Sequence, residues 1–233
     1  MASFYNIITT TVMRLLWYTV LLIAVFAAPS IAQHGSSIDG QLLYPKDFTQ
    51  FQYTSPAAKK GGTLVLHDIG SFDKVNPFTL KGTVPGTLED LIFEPLCVQS
   101  LDEPFSVYGL IAKDILVAAD NKSVTFVLNK DARFSDGSPI QVEDVAYTID
   151  TLTGSAVHPF YNSYYQDVEG YEILGDSTIR VNFKNANREM HLIIAQMRIM
   201  PLKQHDLFFS LTPQLQEKRF YPIGSGPYLV SAI

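Results

Sequence analysis

The residue types that could bind a metal or attack a substrate are present in the sequence but lack the spacing that such chemistry needs. The five histidines are scattered, with no H-E-x-x-H motif and no pair at helical spacing, so no ligand set for zinc can be recognised. Cys97, the only cysteine, stands between Leu96 and Val98, a setting typical of a buried apolar residue. A single cysteine also excludes an internal disulfide. We therefore predict no metal site.

Motifs for covalent catalysis and for nucleotide binding are incomplete as well. Gly224-Ser225-Gly226 lacks the glycines of the G-x-S-x-G frame, because Ile223 and Pro227 occupy those positions. Gly61-Gly62 precedes a predicted strand instead of opening a helix, and no G-x-x-x-x-G-K-[ST] loop occurs. We predict that the chain is not an enzyme and takes no cofactor. A secreted hydrolase is the alternative, which turnover of a peptide pool, abolished by one substitution, would support.

Aromatic residues are the first candidates for ligand contacts. Tyr161, Tyr164 and Tyr165 lie close together in the sequence, beside His158-Pro159-Phe160. Tyrosine offers a stacking face and a polar tip, which suits a site that must hold varied ligands. We predict that these three tyrosines contact the ligand, with ordinary packing beneath a loop as the alternative.

A loop after the first predicted strand supplies the other candidates. Ser71, Phe72 and Asn76 fall in a stretch whose Asp and Asn-Pro residues favour turns. Loops in this position often meet ligands in open α/β domains. We predict that these three residues also contact the ligand. For Asn76 the alternative is a turn residue whose substitution leaves ligand affinity unchanged.

The hydrophobic pattern predicts the elements that position these loops, in a mixed α/β class. Strands are indicated where apolar residues alternate, or where a short β-prone run is bounded by turn residues. Helices are indicated where apolar residues recur every three or four positions after capping or acidic residues. The predicted strands are 63–67, 123–129 and 179–183, and the predicted helices are 87–94, 142–153 and 189–198.

The composition is that of a globular protein that does not bind nucleic acid. Apolar residues make up 47% of the 233 residues and charged residues 17%, which argues against disordered, collagen-like and coiled-coil classes. The formal net charge is −6, and the basic clusters Lys59-Lys60 and Lys218-Arg219 are not interleaved with stacking aromatic residues. We predict a monomer without a nucleic-acid partner.

Residues 1–32 have the pattern of a cleaved signal peptide. Arg14 is their only charged side chain, and the apolar run from Leu15 to Ala28 is shorter than the roughly 20 residues that span a bilayer. Small residues precede the bond between Ala32 and Gln33, as signal peptidase requires. We predict cleavage at that bond and a periplasmic location. A retained, membrane-anchoring N-terminal helix is the alternative.

Four blocks of sequence occur in order along the rest of the chain. They are Lys60-Gly61-Gly62-Thr63-Leu64, then Phe72-Asp73-Lys74-Val75-Asn76-Pro77-Phe78, then Ala132-Arg133-Phe134-Ser135-Asp136-Gly137-Ser138-Pro139-Ile140-Gln141-Val142-Glu143-Asp144-Val145, and finally Gly224-Ser225-Gly226-Pro227-Tyr228. Together they resemble the extracytoplasmic solute-binding proteins of peptide and nickel ABC importers, family 5. The segments Leu101-Asp102-Glu103-Pro104-Phe105 and Tyr108-Gly109-Leu110 look closest to its YejA subgroup, which serves oligopeptide and microcin C import. Gln141 departs from the family, which usually carries a helix-capping hydroxyl residue there.

The resemblance implies an α/β lobe of the periplasmic-binding-protein type, class C cluster, with mixed sheets. It implies that 33–233 is the N-terminal lobe, with its core at 61–230, and that the chain stops before the second lobe. The implied function is the capture of peptides or peptide-like solutes for an inner-membrane ABC permease. A truncated fragment that binds nothing is the alternative.

Overall fold

Alternating apolar residues build the larger of two sheets in the computed structural model, which describes residues 32–80, 82–205 and 221–230. Across this sheet lie β4 (Ala112–Val117), β5 (Ser123–Leu128), β7 (Thr178–Phe183) and β6 (Val168–Gly175), each antiparallel to its neighbour. The strands predicted at 123–129 and 179–183 are thus confirmed. Every second residue of β5 and β7 is buried in the core, as expected for a sheet with one covered face: Val124, Phe126, Leu128, Ile179, Val181 and Phe183.

The smaller sheet joins the beginning of the described chain to a central hairpin. Its antiparallel strands are β1 (Gly35–Ser37), β3 (Ser106–Gly109) and β2 (Cys97–Gln99), in that order across the sheet. The rings of Tyr44, Phe48 and Phe51 surround Tyr108 with centroid distances of 5.5, 5.2 and 5.6 Å. These contacts fix the segment that follows β1, although none of the three strands was predicted.

Helix α2 (Val142–Thr153) packs against β6 and β7 and confirms the helix predicted at 142–153. Gln141 has no hydroxyl group to cap the start of α2. Asp144 stabilises this helix start instead, because its carboxylate accepts the Gln141 N–H at 2.8 Å. The second carboxylate oxygen of Asp144 accepts the Leu202 N–H at 2.9 Å. Thr148 Oγ1 accepts the Met200 N–H at the same distance. The buried side of α2 therefore also anchors the segment around residue 200.

The other helices are short. Helix α1 (Leu88–Ile92) lies within the predicted 87–94, and α4 (Met190–Ala195) lies within the predicted 189–198. Helix α3 (Pro159–Tyr164) and a 3₁₀ turn at Leu202–Gln204 were not predicted. Within the three described ranges, no helix combines the length and the apolar character that a membrane crossing needs.

The strand predicted at 63–67 is wrong. This segment has no regular structure, and the side chain of Val65 is 86% exposed. A strand requires a neighbour to receive its backbone hydrogen bonds, and the described residues pair with one another in registers that do not include 63–67. The segment therefore has a β-prone composition but is irregular and exposed.

Candidate ligand-binding cavity

A cavity of about 720 Å³ lies where three of the four family-like blocks come together. It is lined by residues from 62–72, 83–92 and 227–230, and we call it the large cavity. Leu88, Leu91 and Ile92 of α1 supply apolar lining, whereas His67 and Asp68 supply polar groups. This size and mixture are typical of ligand pockets, which span roughly 300–1,000 Å³.

The loop along one side of the large cavity is held by carboxylates that accept backbone N–H groups. Asp68 accepts from Gly86 at 2.9 Å and from Ile69 at 2.8 Å, and these bonds lower the pKa of its carboxyl group. Asp73 accepts the Thr83 N–H at 2.6 Å, while the Asp73 N–H donates back to the Thr83 carbonyl at 3.1 Å. The loop thus closes on itself beside the cavity.

Two of the three predicted loop residues face the large cavity, and the third does not. Ser71 and Phe72 line it, and the Phe72 side chain is 48% exposed. Asn76 is buried, and its Oδ1 accepts the Phe78 N–H at 3.0 Å, which closes an Asx turn. Lys74 is buried beside it, where its Nζ donates to the Thr79 carbonyl at 2.8 Å, and burial lowers the pKa of its amine.

The three predicted tyrosines occupy different surroundings and do not line the large cavity. The Tyr161 hydroxyl donates to Glu89 of α1 at 2.9 Å, and burial raises the pKa of this phenol well above its usual range. Tyr165 is buried in the core, whereas Tyr164 is exposed at a second, smaller groove. Their closeness in sequence therefore does not place them in one site.

Two glycines allow the last described segment to form a wall of the large cavity. A Cβ atom on Gly224 would lie 1.9 Å from the carbonyl oxygen of Ile92, and one on Gly226 would lie 2.4 Å from that of Leu91. The Gly226 N–H donates to the Ile92 carbonyl at 2.7 Å. Ser135 binds the Gly224 carbonyl through its N–H and its hydroxyl, at 2.8 and 2.6 Å. The third and fourth family-like blocks are therefore in direct contact.

Sequence reasoning missed part of the cavity lining. His67 belonged to the strand predicted at 63–67, and neither Asp68 nor residues 227–230 were predicted to contact a ligand. The signal for the second group was the Gly-Ser-Gly-Pro-Tyr block, since closely spaced glycines often mark a close approach of two backbones.

The described residues offer no arrangement suited to metal binding or to a reactive thiol. No group of three or more His, Cys, Asp or Glu side chains within 32–80, 82–205 and 221–230 could hold a metal ion. Cys97 is fully buried, and burial raises the pKa of its thiol far above the ordinary value, so it is poorly suited to act as a nucleophile. What the large cavity offers is a surface for non-covalent contacts.

Comparison with known proteins gives the family context for this cavity. The sequence profile described as "Bacterial extracellular solute-binding proteins, family 5 Middle" matches residues 106–233, more than half of the chain. The "Peptidoglycan-binding protein YepA" of Agrobacterium fabrum is 36% identical over 219 residues, which cover 89% of this chain and 35% of that protein. The "Probable peptide-binding protein YejA" of the same organism is 32% identical over 227 residues, covering 91% and 35%. The chain thus spans about a third of the length of these relatives.

A solved structure shows the same fold at lower sequence similarity. NikA from Brucella suis, solved in complex with Fe(III)-EDTA, superposes with a TM-score of 0.55 at 21% identity and covers 69% of this chain and 31% of its own. The α/β lobe of a periplasmic binding protein is therefore confirmed, over about a third of the length of that solved structure. Together with the profile match, these likenesses show that the chain belongs to the family 5 bacterial extracellular solute-binding proteins and resembles its YejA group.

Proposed function

We propose that this chain forms part of a binding protein that captures peptides or peptide-like solutes outside the cytoplasm and passes them to an ABC permease of the inner membrane. The observation that carries the proposal is the large cavity, which is lined by Ser71 and Phe72 on a loop closed by carboxylate bonds. The names of the relatives, which mention peptide and peptidoglycan, support a ligand that contains amino acids.

The backbone beside the large cavity suits a peptide ligand. No hydrogen bond joins the backbone N–H and C=O groups of 62–67 to other described residues, and most of these residues line the cavity. A peptide lying beside them could accept and donate main-chain bonds, which gives affinity regardless of side-chain sequence. Phe72 would add an apolar contact for one ligand side chain.

The beginning of the described chain supports export with cleavage before Gln33. The backbone of Gln33 already exchanges two hydrogen bonds with Ile115 of β4, at 3.0 and 2.8 Å. A mature protein starting at this residue would retain every described strand. We propose that residues 1–32 are a signal peptide and that 33–233 forms the lobe, with its core at 61–230 as the resemblance implies. The intact mass of the exported protein tests this cleavage.

The test of ligand capture is binding of defined peptides to the full chain, with variants of the large cavity. We expect saturable binding of a tri- to pentapeptide, measured by calorimetry and by a rise in melting temperature. Phe72→Ala should weaken binding about tenfold because it removes an apolar contact. Tyr53→Ala is the matched control, since Tyr53 is a similarly exposed aromatic residue, 44%, that does not line the cavity.

Three outcomes would contradict the proposal. They are an absence of saturable peptide binding, equal affinity of Phe72→Ala and the parent, and equal losses in both variants. The first outcome would favour the alternative of a non-binding fragment. We also infer that bound peptide is released unchanged, and mass spectrometry of the recovered ligand tests this against the hydrolase alternative.

A further inference from the structure

A second cavity, the small groove, has two aromatic residues in its lining. It encloses about 310 Å³, and its lining includes Phe105 and Tyr164 together with Val107, Leu192 and Ile193. It shares no lining residue with the large cavity. Its volume lies at the lower end of the range for ligand pockets, so it fits one side chain better than a whole solute.

Phe105 is held in an exposed, strained position at this groove. Its φ of 57° lies in the left-handed region, which bulky residues avoid, yet its side chain is 63% exposed. Backbone bonds on both sides fix this conformation: Ile38 N–H donates to the Phe105 carbonyl at 3.3 Å, and Ser100 N–H donates to that of Ser106 at 3.1 Å. Strain that burial does not explain is typical of residues kept for contact with a partner.

The loop that carries Phe105 directs its acids toward the protein and leaves apolar side chains exposed. Glu103 accepts the Tyr108 hydroxyl and the Leu43 N–H, and Asp102 accepts the Tyr44 hydroxyl. Leu101, on the same loop, is 79% exposed. A loop selected only for solubility would have the opposite arrangement.

The other aromatic residue of the lining, Tyr164, packs on two neighbouring rings. The ring of Tyr164 stacks on Phe160 with a centroid distance of 5.5 Å and an interplanar angle of 16°. It also meets Tyr165, a buried residue, edge-on at 5.1 Å. The Phe105 backbone and the Tyr164 ring are therefore held by other groups of the protein before any ligand arrives, which lowers the entropy lost on binding.

One unpaired carboxylate completes the small groove. Glu189 is the only charged residue in its lining, and among the described residues its carboxylate makes no hydrogen bond or ion pair. The neighbouring Arg188 does not neutralise it by contact, because its guanidinium donates to the Ile38 carbonyl at 3.1 Å. Glu189 precedes α4 and also favours that helix end, but this role leaves its oxygens free for a cation.

We propose that the small groove is a docking site for an arginine side chain of a partner protein. A guanidinium group is planar, stacks on aromatic rings and can bind one carboxylate through two N–H groups. Phe105, Tyr164 and Glu189 offer these partners around a space of side-chain size. Leu101 would contact apolar residues next to that arginine. The inference does not rest on peptide capture by the large cavity.

The experiment is a titration of the full chain with the blocked tripeptide acetyl-Gly-Arg-Gly-amide at low salt, followed by nuclear magnetic resonance. We expect millimolar, salt-sensitive binding with shifts confined to residues around the small groove. The citrulline peptide has the same shape without charge and should bind at least tenfold more weakly. Glu189→Gln and Phe105→Gly should each cause a similar loss, while Glu169→Gln, an exposed acid outside both cavities, should bind like the parent.

Each result decides for or against the site. Phe105→Gly removes the ring and relieves backbone strain, so a melting temperature equal to or above that of the parent would exclude misfolding as the cause of lost binding. Equal binding of the arginine and citrulline peptides, or unchanged binding by Glu189→Gln and Phe105→Gly, would overturn the proposal. Tighter binding of free arginine than of the blocked peptide would make the groove a solute site instead and would also overturn docking.

Discussion

Phe105 and Asn121 are the two non-glycine residues in the described chain whose φ is positive, at 57° and 56°. The same backbone conformation costs them different amounts, because asparagine tolerates the left-handed region and phenylalanine does not. Phe105 gains little burial in return, since most of its side chain is exposed.

Replacement of Phe105 by glycine should therefore stabilise the protein. We expect Phe105→Gly to raise the free energy of unfolding by about 0.5–1 kcal/mol, measured by urea denaturation. Asn121→Gly is the matched control and should change it by less than about 0.5 kcal/mol. A destabilised Phe105→Gly variant would show that the ring contributes more to packing than its exposure indicates.

His191 should make stability depend on pH. It is buried, neither ring nitrogen makes a hydrogen bond of normal geometry, and burial lowers its pKa to about 4, partly opposed by the nearby Arg188 carbonyl. An unfolded histidine has a pKa near 6.5, so between these values the unfolded state binds more protons and stability falls as pH falls. The loss from pH 7 to pH 4 should be on the order of 3 kcal/mol.

The measurement is chemical denaturation at a series of pH values for the parent and for His191→Leu. Every other residue is the same in both proteins, so the difference between the two curves isolates the contribution of His191. We expect the free energy of unfolding of the parent, taken relative to that of His191→Leu, to be nearly constant at and above pH 7 and to fall by about 3 kcal/mol between pH 7 and pH 4. Parallel curves over this range would contradict the prediction.

At the scale of elements, α1 and the segment 221–230 depend on a close backbone approach at Gly226. The substitution Gly226→Ala would place a methyl group against the Leu91 carbonyl, so the N–H bond from Gly226 to Ile92 would be lost. We expect a loss of roughly 1–3 kcal/mol in the free energy of unfolding. Gly170→Ala in β6, where no atom lies within 4 Å of the added methyl, is the control and should be near neutral.

The sequence predicted the elements whose side chains repeat with a clear period. Strands β5 and β7 and helix α2 were found because each buries every second residue or one helical stripe. Strands β1, β2 and β3 have only three or four residues, which is too short for a period to be recognised. The strand predicted at 63–67 was wrong although its composition favours a strand, because a strand also requires a pairing partner.

The candidate site was predicted in part for similar reasons. Ser71 and Phe72 were found because loop residues after a strand are good ligand candidates in general. The sequence could not distinguish the surroundings of the three tyrosines. The bond from Tyr161 to Glu89 and the place of Tyr164 at the small groove both depend on residues distant in the sequence. Distant contacts of this kind decide which neighbours in sequence are neighbours in space.

At the scale of the whole molecule, the free energy of local unfolding should differ between segments of the chain. Residues 62–72 are mostly exposed and have few backbone bonds to the rest of the described chain, whereas the ring cluster of Tyr44, Phe48 and Phe51 is packed on Tyr108. Both segments contain sites for chymotrypsin. We expect cleavage within 62–72 before cleavage within 44–51, because local opening of the first segment costs less free energy.

Limited proteolysis followed by mass spectrometry checks this order. A peptide that fills the large cavity should slow cleavage within 62–72 and leave cleavage within 44–51 unchanged. Earlier cleavage at the ring cluster would show that the segment after β1 is the less stable of the two.

The single cysteine of the sequence is a chemical probe of local opening in the small sheet. Cys97 lies in the core on β2, and its thiol is both inaccessible and hard to ionise in the folded state. A thiol reagent can therefore modify it only when the small sheet opens. The rate of this labelling therefore measures how readily the small sheet opens. A cysteine introduced on the surface would react before Cys97 does, and would serve as a selective attachment point for a dye or spin label.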